Sequence, residues 1–264
     1  MNACMIRVGR QDIWVAVKPG PKDRPPLLLF NGIGANFELA EPFMRAMTGV
    51  EVVIFDIPGV GGSPLPLLPY RPSTIARWAA EIMKQLGYDK IDVAGVSWGG
   101  GIALQFAHQY PTVCRKLILA ATSPGAIMVP GRISVLWKMA GPRRYIDKGY
   151  MRKIAADIYG GAFRHDPNLI NAHAQSMKGA SDLGYLYQLL ALTGWSSLPW
   201  LHKLIQPTLV LMGNDDPIVP LINGQILTRL IRGARLQIMQ DGHLFFVTKP
   251  QETALIVARF IAEG

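Results

Sequence analysis

Cysteine is nearly absent from these 264 residues: only Cys4 and Cys114 occur. Two cysteines cannot build a disulfide framework, and neither sits in a CxxC or other metal-ligand spacing. The start, MNACMIRVGRQDIWVAVKPG, has no basic segment followed by a long apolar run, so no signal peptide is apparent. No stretch approaches the roughly 18 uncharged apolar residues that a membrane-spanning helix needs. The chain is therefore expected to be soluble and intracellular. Long runs of one charge are missing as well. No Lys/Arg run exceeds two residues, as at Arg143-Arg144, and no zinc-finger spacing occurs, so the net charge of +9 does not by itself point to nucleic acid. Internal repeats and low-complexity tracts are also lacking.

What is present is enough apolar material for one large domain, with hydrophobic residues making up 50% of the chain. Strand candidates are 12–17, 26–31, 52–56, 90–95, 116–122, 207–213 and 235–240. From the third onward most are continuous apolar runs, as expected of strands covered on both faces. Helical periodicity appears over 73–86, 99–109, 221–232 and 249–262. Strands alternating with helices predict an α/β fold with a parallel sheet and helices on both faces. One region breaks the rhythm: from Ser123 to about Ile205 no strand pattern occurs. Such a length exceeds any ordinary loop. It reads as a helical insertion capping the sheet edge, which divides the chain into a core of 1–122 and 204–264 and a cap of 123–203. Between Ser123 and Lys203 stand ten Lys/Arg against four Asp/Glu, so six of the nine excess positive charges fall there. That concentration suits either a surface meeting something anionic or interfacial, or a solvated basic face.

The stretch AGVSWGGG (94–101) places one serine among four glycines, between a buried strand and a helix. A side chain on such a sharp turn projects into the crevice beyond the strand's carboxyl end. Glycines two residues to either side of Ser97 remove side chains that would collide across the turn, and the helix starting near Trp98 aims N–H groups at the site. Ser97 thus reads as a nucleophile. A serine hydroxyl needs a base. Of five histidines, His108 lies inside the following helix, His165, His173 and His202 fall in the insertion, and His243 alone occupies a loop after the last strand. A third group must orient that imidazole, and MGNDDPIVP offers Asp215 and Asp216. The order Ser, Asp, His along the chain is that of the α/β-hydrolases. An oxyanion hole is expected from FNGIGAN (30–36), with the backbone N–H groups of Ile33 and Trp98 as donors. Asp56, in FDIPGVGGSP, reads as structural. This chemistry calls for no metal and no organic cofactor.

Together FNGIGAN, DIPGVGGS, GVSWGG, VPGRISVLWKMAGPRRY, IYGGAFRHDP, WLHKLIQPTLVL and DGHLFFVT make the chain resemble the intracellular depolymerases of medium-chain-length polyhydroxyalkanoates. The resemblance runs over nearly the whole chain, insertion included. It implies an α/β-hydrolase fold with a mostly parallel eight-stranded sheet, and Ser97, Asp216 and His243 as nucleophile, acid and base. It implies an ester hydrolase releasing 3-hydroxy fatty acids, attached to cytoplasmic polyester granules and to any granule-associated proteins there. Compatible with it, Trp137, Trp195, Trp200, Tyr185, Tyr187, Met128 and Met139 supply apolar surface from which an acyl pocket could be lined. Two alternatives keep the same residues in view. One is a hydrolase of a small soluble ester, lactone or carbon–carbon bond, which would retain the whole triad. The other is a non-catalytic granule-binding protein, disfavoured because no triad member is missing. A dehalogenase is disfavoured by Ser at the nucleophile position.

Overall fold

The computed structural model describes residues 1–141, 143–176 and 181–263. Eight strands form one sheet: β1 (Asn2–Val8), β2 (Gln11–Lys18), β3 (Leu27–Phe30), β4 (Val52–Phe55), β5 (Ile91–Val96), β6 (Cys114–Ala120), β7 (Thr208–Gly213) and β8 (Arg235–Met239). Their order is β1-β2-β4-β3-β5-β6-β7-β8. The pairs β1–β2 and β2–β4 are antiparallel, and all later pairs are parallel. The apolar runs LLLF and VVIF of β3 and β4 are buried at every residue. Alternate side chains feed two core layers, Leu28 and Phe30 into one and Leu27 and Leu29 into the other, as the two-residue period of a strand requires.

Along the chain the helices are α1 (Glu41–Ala46), α2 (Pro72–Gln85), α3 (Trp98–Gln109), α4 (Ile133–Met139), α5 (Arg143–Ile146), α6 (Lys148–Tyr159), α7 (Pro167–Ser176), α8 (Asp182–Leu192), α9 (Leu221–Leu230), α10 (Phe245–Thr248) and α11 (Pro250–Ala262). Helices α2, α3 and α9 cover one face of the sheet through Ile75, Ile82, Phe106 and Leu227. On the other face α1, α10 and α11 pack through Phe43, Phe246, Val257 and Phe260. Helices α4 to α8 all fall between β6 and β7, where the strand pattern lapses, and the described residues there show only an isolated bridge, Gly125 to Ser196. Among the described residues no helix is long and apolar enough to cross a membrane.

Seven of the eight strands correspond to apolar runs in the sequence, and β1 does not. Strand β1 sits at the sheet edge, paired with β2 alone, and most of its side chains are exposed, so NACMIRV carries no continuous apolar signal. Gly9, at φ 62°, turns the chain back into β2.

The sheet's topology creates the site. Strand β3 lies beside β5, and the connections leaving the two run to opposite faces of the sheet, through α1 and α3, so a crevice opens beyond the strands' carboxyl ends. Phe30 of β3 is in register with Gly95 of β5, which brings the loop after β3 beside the turn after β5.

Candidate active site

Ser97 joins β5 to α3 with φ 55° and ψ −120°, a conformation L side chains rarely adopt. The turn holds it there: Ser97 N–H donates to the Ala120 carbonyl at 2.8 Å, and Thr122 Oγ1 donates to the Ser97 carbonyl at 2.7 Å. The flanking glycines have separate steric reasons. A Cβ at Gly95 would overlap the Gly99 carbonyl, and a Cβ at Gly99 would overlap the carbonyls of Phe30 and Asn31. Gly100 has no room beside the Thr122 side chain. Strand, helix and neighbouring loop therefore approach backbone to backbone, and the hydroxyl is left at the crevice.

His243 faces the same crevice from the loop between β8 and α10, and both residues line one cavity. Its Nδ1 stands 2.7 Å from Asp216 Oδ2, with both side chains buried. The other oxygen, Oδ1, accepts the N–H groups of Ile218 and Val219 at 2.8 and 2.9 Å. Three hydrogen bonds fix this carboxylate in place. An imidazole anchored in that way on Nδ1 has Nε2 left to exchange a proton with a hydroxyl in the cavity.

Asp215, the other candidate acid, points elsewhere. It takes a bidentate pair from Arg164, at 2.7 and 3.1 Å, and the Gly161 N–H at 2.7 Å. Asp215 is an ion-pair partner of the helical segment, and the Arg164 guanidinium holds its carboxyl below the ordinary carboxylate value. Asp241 acts in parallel, accepting the Ala162 N–H at 2.8 Å and a bond from Thr248 Oγ1. Between these carboxylates the Gly160-Gly161 turn fits without side chains, and the His243 N–H donates to the Tyr159 carbonyl at 2.7 Å.

The loop after β3 is shaped by Asn31, whose Nδ2 donates to the Asn36 carbonyl at 2.9 Å and whose Oδ1 accepts the Gly32 N–H at 3.0 Å. Ile33 lines the cavity with Ser97, and Trp98 is the first residue of α3. Gln188 of α8 braces both: its Oε1 accepts the Gly34 N–H at 2.6 Å, and its carbonyl accepts Trp98 Nε1 at 2.9 Å. Asp56 is structural, as expected, accepting the N–H groups of Phe37 and Gly62 at 2.7 and 2.8 Å.

Of the seven apolar cap residues singled out in the sequence, Met139 is the one lining this cavity among the described residues. Trp195 and Trp200 instead pack against α3, through Gln105 and a stacked His108, and Trp137 is 76% exposed. Apolar lining comes largely from residues outside the insertion, in stretches where no strand or helix pattern was read, such as Leu39, Ile218, Leu244 and Phe246. Sequence reasoning also passed over Arg144 and His173, which line the cavity from α5 and α7, and over Tyr159, Arg164, Gln188 and Asp241. For the Tyr159–Arg164 contacts the signal was present in the glycine pair of IYGGAFR. Among the described residues no group of three or more His, Cys, Asp or Glu could hold a metal ion.

A model of the α/β-hydrolase fold matches residues 25–250. The poly(3-hydroxyalkanoate) depolymerase of Ectopseudomonas oleovorans is 49% identical over 98% of this chain and 92% of its own. A 2-hydroxymuconate semialdehyde hydrolase from Pseudomonas is 24% identical over 97% of this chain and 95% of its own. Among solved structures, the enol-lactonase of Burkholderia xenovorans superposes with a TM-score of 0.85 at 17% identity, covering 98% of this chain and all of the other; a likeness at that identity concerns the fold alone. The chain belongs to the α/β-hydrolase fold family and, within it, to the poly(3-hydroxyalkanoate) depolymerases, which makes it an ester hydrolase.

Proposed function

We propose that the protein depolymerises medium-chain-length poly(3-hydroxyalkanoate) at cytoplasmic granules and releases 3-hydroxy fatty acids. Ser97 is the nucleophile, His243 the general base and Asp216 the acid that orients it. Ser97 Oγ attacks the ester carbonyl as His243 takes its proton, and the backbone N–H groups of Ile33 and Trp98 receive the oxyanion. His243 then protonates the departing alkoxide oxygen, leaving an acyl-Ser97 intermediate. Water, deprotonated by the same imidazole, releases the acid and restores the hydroxyl. Residues 123–203 act as the cap over this site, with 1–122 and 204–264 as the core.

The observation that carries the reading is the buried 2.7 Å contact between His243 and Asp216 in a cavity shared with Ser97, in a chain 49% identical to a poly(3-hydroxyalkanoate) depolymerase. The test offers the purified protein emulsions of long- and short-side-chain polyesters and identifies the released acids. Medium-chain 3-hydroxy acids from the long-side-chain polymer are expected. Hydrolysis of small soluble esters or lactones with both polymers untouched would overturn the reading in favour of a small-substrate hydrolase.

A further inference from the structure

His173 of α7 lines the same cavity as Ser97 and His243 and takes no part in the proposed acyl transfer. It is 5% exposed, and neither of its ring nitrogens has a hydrogen-bond partner among the described residues. Other polar side chains in the cavity wall are engaged: Asn31 bonds to Asn36 and Gly32, and His243 to Asp216. Buried polar atoms are nearly always satisfied, so an imidazole left this way in a cavity wall points to a group that enters the cavity.

The ring is firmly seated. It meets those of Tyr159 and Phe163 edge to face, at 5.2 and 5.3 Å between centroids, and these two rings lie 5.0 Å from each other. Tyr159 is also the residue whose carbonyl receives the His243 N–H, so one short segment supports both imidazoles at the cavity. Burial, with a smaller contribution from the nearby Arg144 charge, holds the His173 pKa down at about 4. At neutral pH the ring is therefore uncharged and offers one N–H and one lone pair. Much of the wall around it is apolar, through Leu29, Val96, Met139, Ile218 and Phe246. An uncharged donor and acceptor in such a wall suits an uncharged group that can itself both donate and accept.

The substrate class of the proposed function carries one such group. Inside a poly(3-hydroxyalkanoate) chain every oxygen belongs to an ester and can only accept. One end of the chain is a carboxylate and the other is a 3-hydroxyl. We infer that His173 forms a hydroxyl subsite that takes the 3-hydroxyl end of the polyester and sets the carbonyl of that terminal unit before Ser97. This deepens the proposed function and rests on it for the reaction. The bond from Ser97 Oγ to the terminal unit's carbonyl carbon forms, and the bond from that carbon to the 3-oxygen of the next unit breaks. That oxygen leaves with the proton carried by His243 and becomes the new hydroxyl end. Water then adds its hydroxyl to the acyl carbon and returns a proton to Ser97 through His243, so the terminal unit departs as a 3-hydroxy acid. The enzyme thereby works inward from the hydroxyl end.

The experiment compares turnover of the methyl esters of 3-hydroxydecanoate, of 3-methoxydecanoate, which accepts but cannot donate, and of decanoate by the full-length protein. Wild-type kcat/KM is expected to be about tenfold higher for the hydroxy ester than for the others, the size of a hydrogen bond between neutral groups. His173→Phe, which keeps a ring against Tyr159 and Phe163, should bring all of them to within about twofold. A role confined to packing would move the esters together and leave their ratio unchanged. Equal turnover of hydroxy ester and decanoate ester by the wild type overturns the subsite, and that comparison stands even if His173→Phe protein does not fold. A preference that survives His173→Phe overturns it too. Methoxy and hydroxy esters turned over alike would mean that the ring reads an interior ester oxygen, which overturns the assignment to the chain end. Polyester hydrolysis without preference for the hydroxy ester removes the subsite and keeps the depolymerase. A preference abolished by His173→Phe, in a protein that leaves polyester untouched, does the reverse.

Discussion

Asp215 and Asp216 are neighbours in the chain and point to different partners: Asp216 to His243 at 2.7 Å, Asp215 to Arg164 at 2.7 Å. The first pair is buried and the second is part-exposed, so their loss should be felt differently. Asp216→Asn would donate a hydrogen bond to His243 Nδ1 and favour the wrong tautomer, and turnover should fall by about 10⁴. Asp215→Asn should cost less than about tenfold, since it touches no reacting group. Two turnover numbers under one condition decide this. A larger loss in Asp215→Asn would move the proposed acid by one residue.

Asp215 also carries a pH signature. Its carboxyl is held below the ordinary value of 3.8, chiefly by the hydrogen bond from Arg164. A lowered folded-state pKa contributes stability that is present above the unfolded value and lost as pH falls through the folded one. The difference in Tm between wild type and Asp215→Asn should be fully developed near neutral pH and shrink below pH 3.8. A difference that grows on acidification would contradict the ion pair.

Ser97→Ala should abolish ester hydrolysis, by at least about 10⁴-fold, while the protein stays folded by circular dichroism. A serine-directed phosphonate should label Ser97 and no other residue, as read by peptide mass spectrometry. Retained hydrolysis with labelling elsewhere would remove Ser97 from the proposed mechanism.

Gly161 and Gly87 both have positive φ, 51° and 85°, but only Gly161 is crowded, by Asp241 and Gly242. Gly87→Ala should cost stability alone, about 1 kcal/mol of backbone strain. Gly161→Ala should cost about 1–3 kcal/mol and also turnover, because the displaced turn carries the Tyr159 carbonyl that receives the His243 N–H. Tm and kcat measured on both variants test the distinction. Equal turnover in the two would mean that this turn does not position His243.

The proposed attachment to granules should be mainly apolar. Ile133 and Trp137 on α4 are 70% and 76% exposed, and Leu67 is 95% exposed. Binding of Ser97→Ala protein to isolated granules should persist in part at high salt and weaken in Ile133→Ser/Trp137→Ser, since apolar burial is not screened as exposed charges are. Complete release by moderate salt would make the contact electrostatic instead.

Much of this arrangement was legible in the sequence. The central strands announce themselves because both faces are covered, so their residues are uniformly apolar. Ser97 is marked by glycines whose neighbours leave no space for a Cβ, and His243 by its place after a strand end; position alone left Asp215 and Asp216 level, and the family resemblance singled out Asp216. Edge strand β1 escaped because exposure erases periodicity. Partners contributed by distant segments escaped for another reason. Nothing local to Arg164 says that it will meet Asp215, 51 positions on, and nothing local to Gln188 says that it will brace a loop 154 positions away. The apolar residues of the insertion misled in their turn, because packing on α3 and lining a cavity ask for the same side chains.

The hydrogen bond from His243 N–H to the Tyr159 carbonyl, with the Gly160–Arg164 turn seated on Asp215 and Asp241, bears on how such a protein can be recombined. A graft of the helical segment from a relative cannot be cut at the sheet's edge as though it were a detachable module. The transplanted piece must bring a glycine pair and an arginine matched to the host's two aspartates. Otherwise the host's histidine loses the carbonyl that anchors its own backbone. Exchangeability in this fold is set by that seam rather than by where the helices begin.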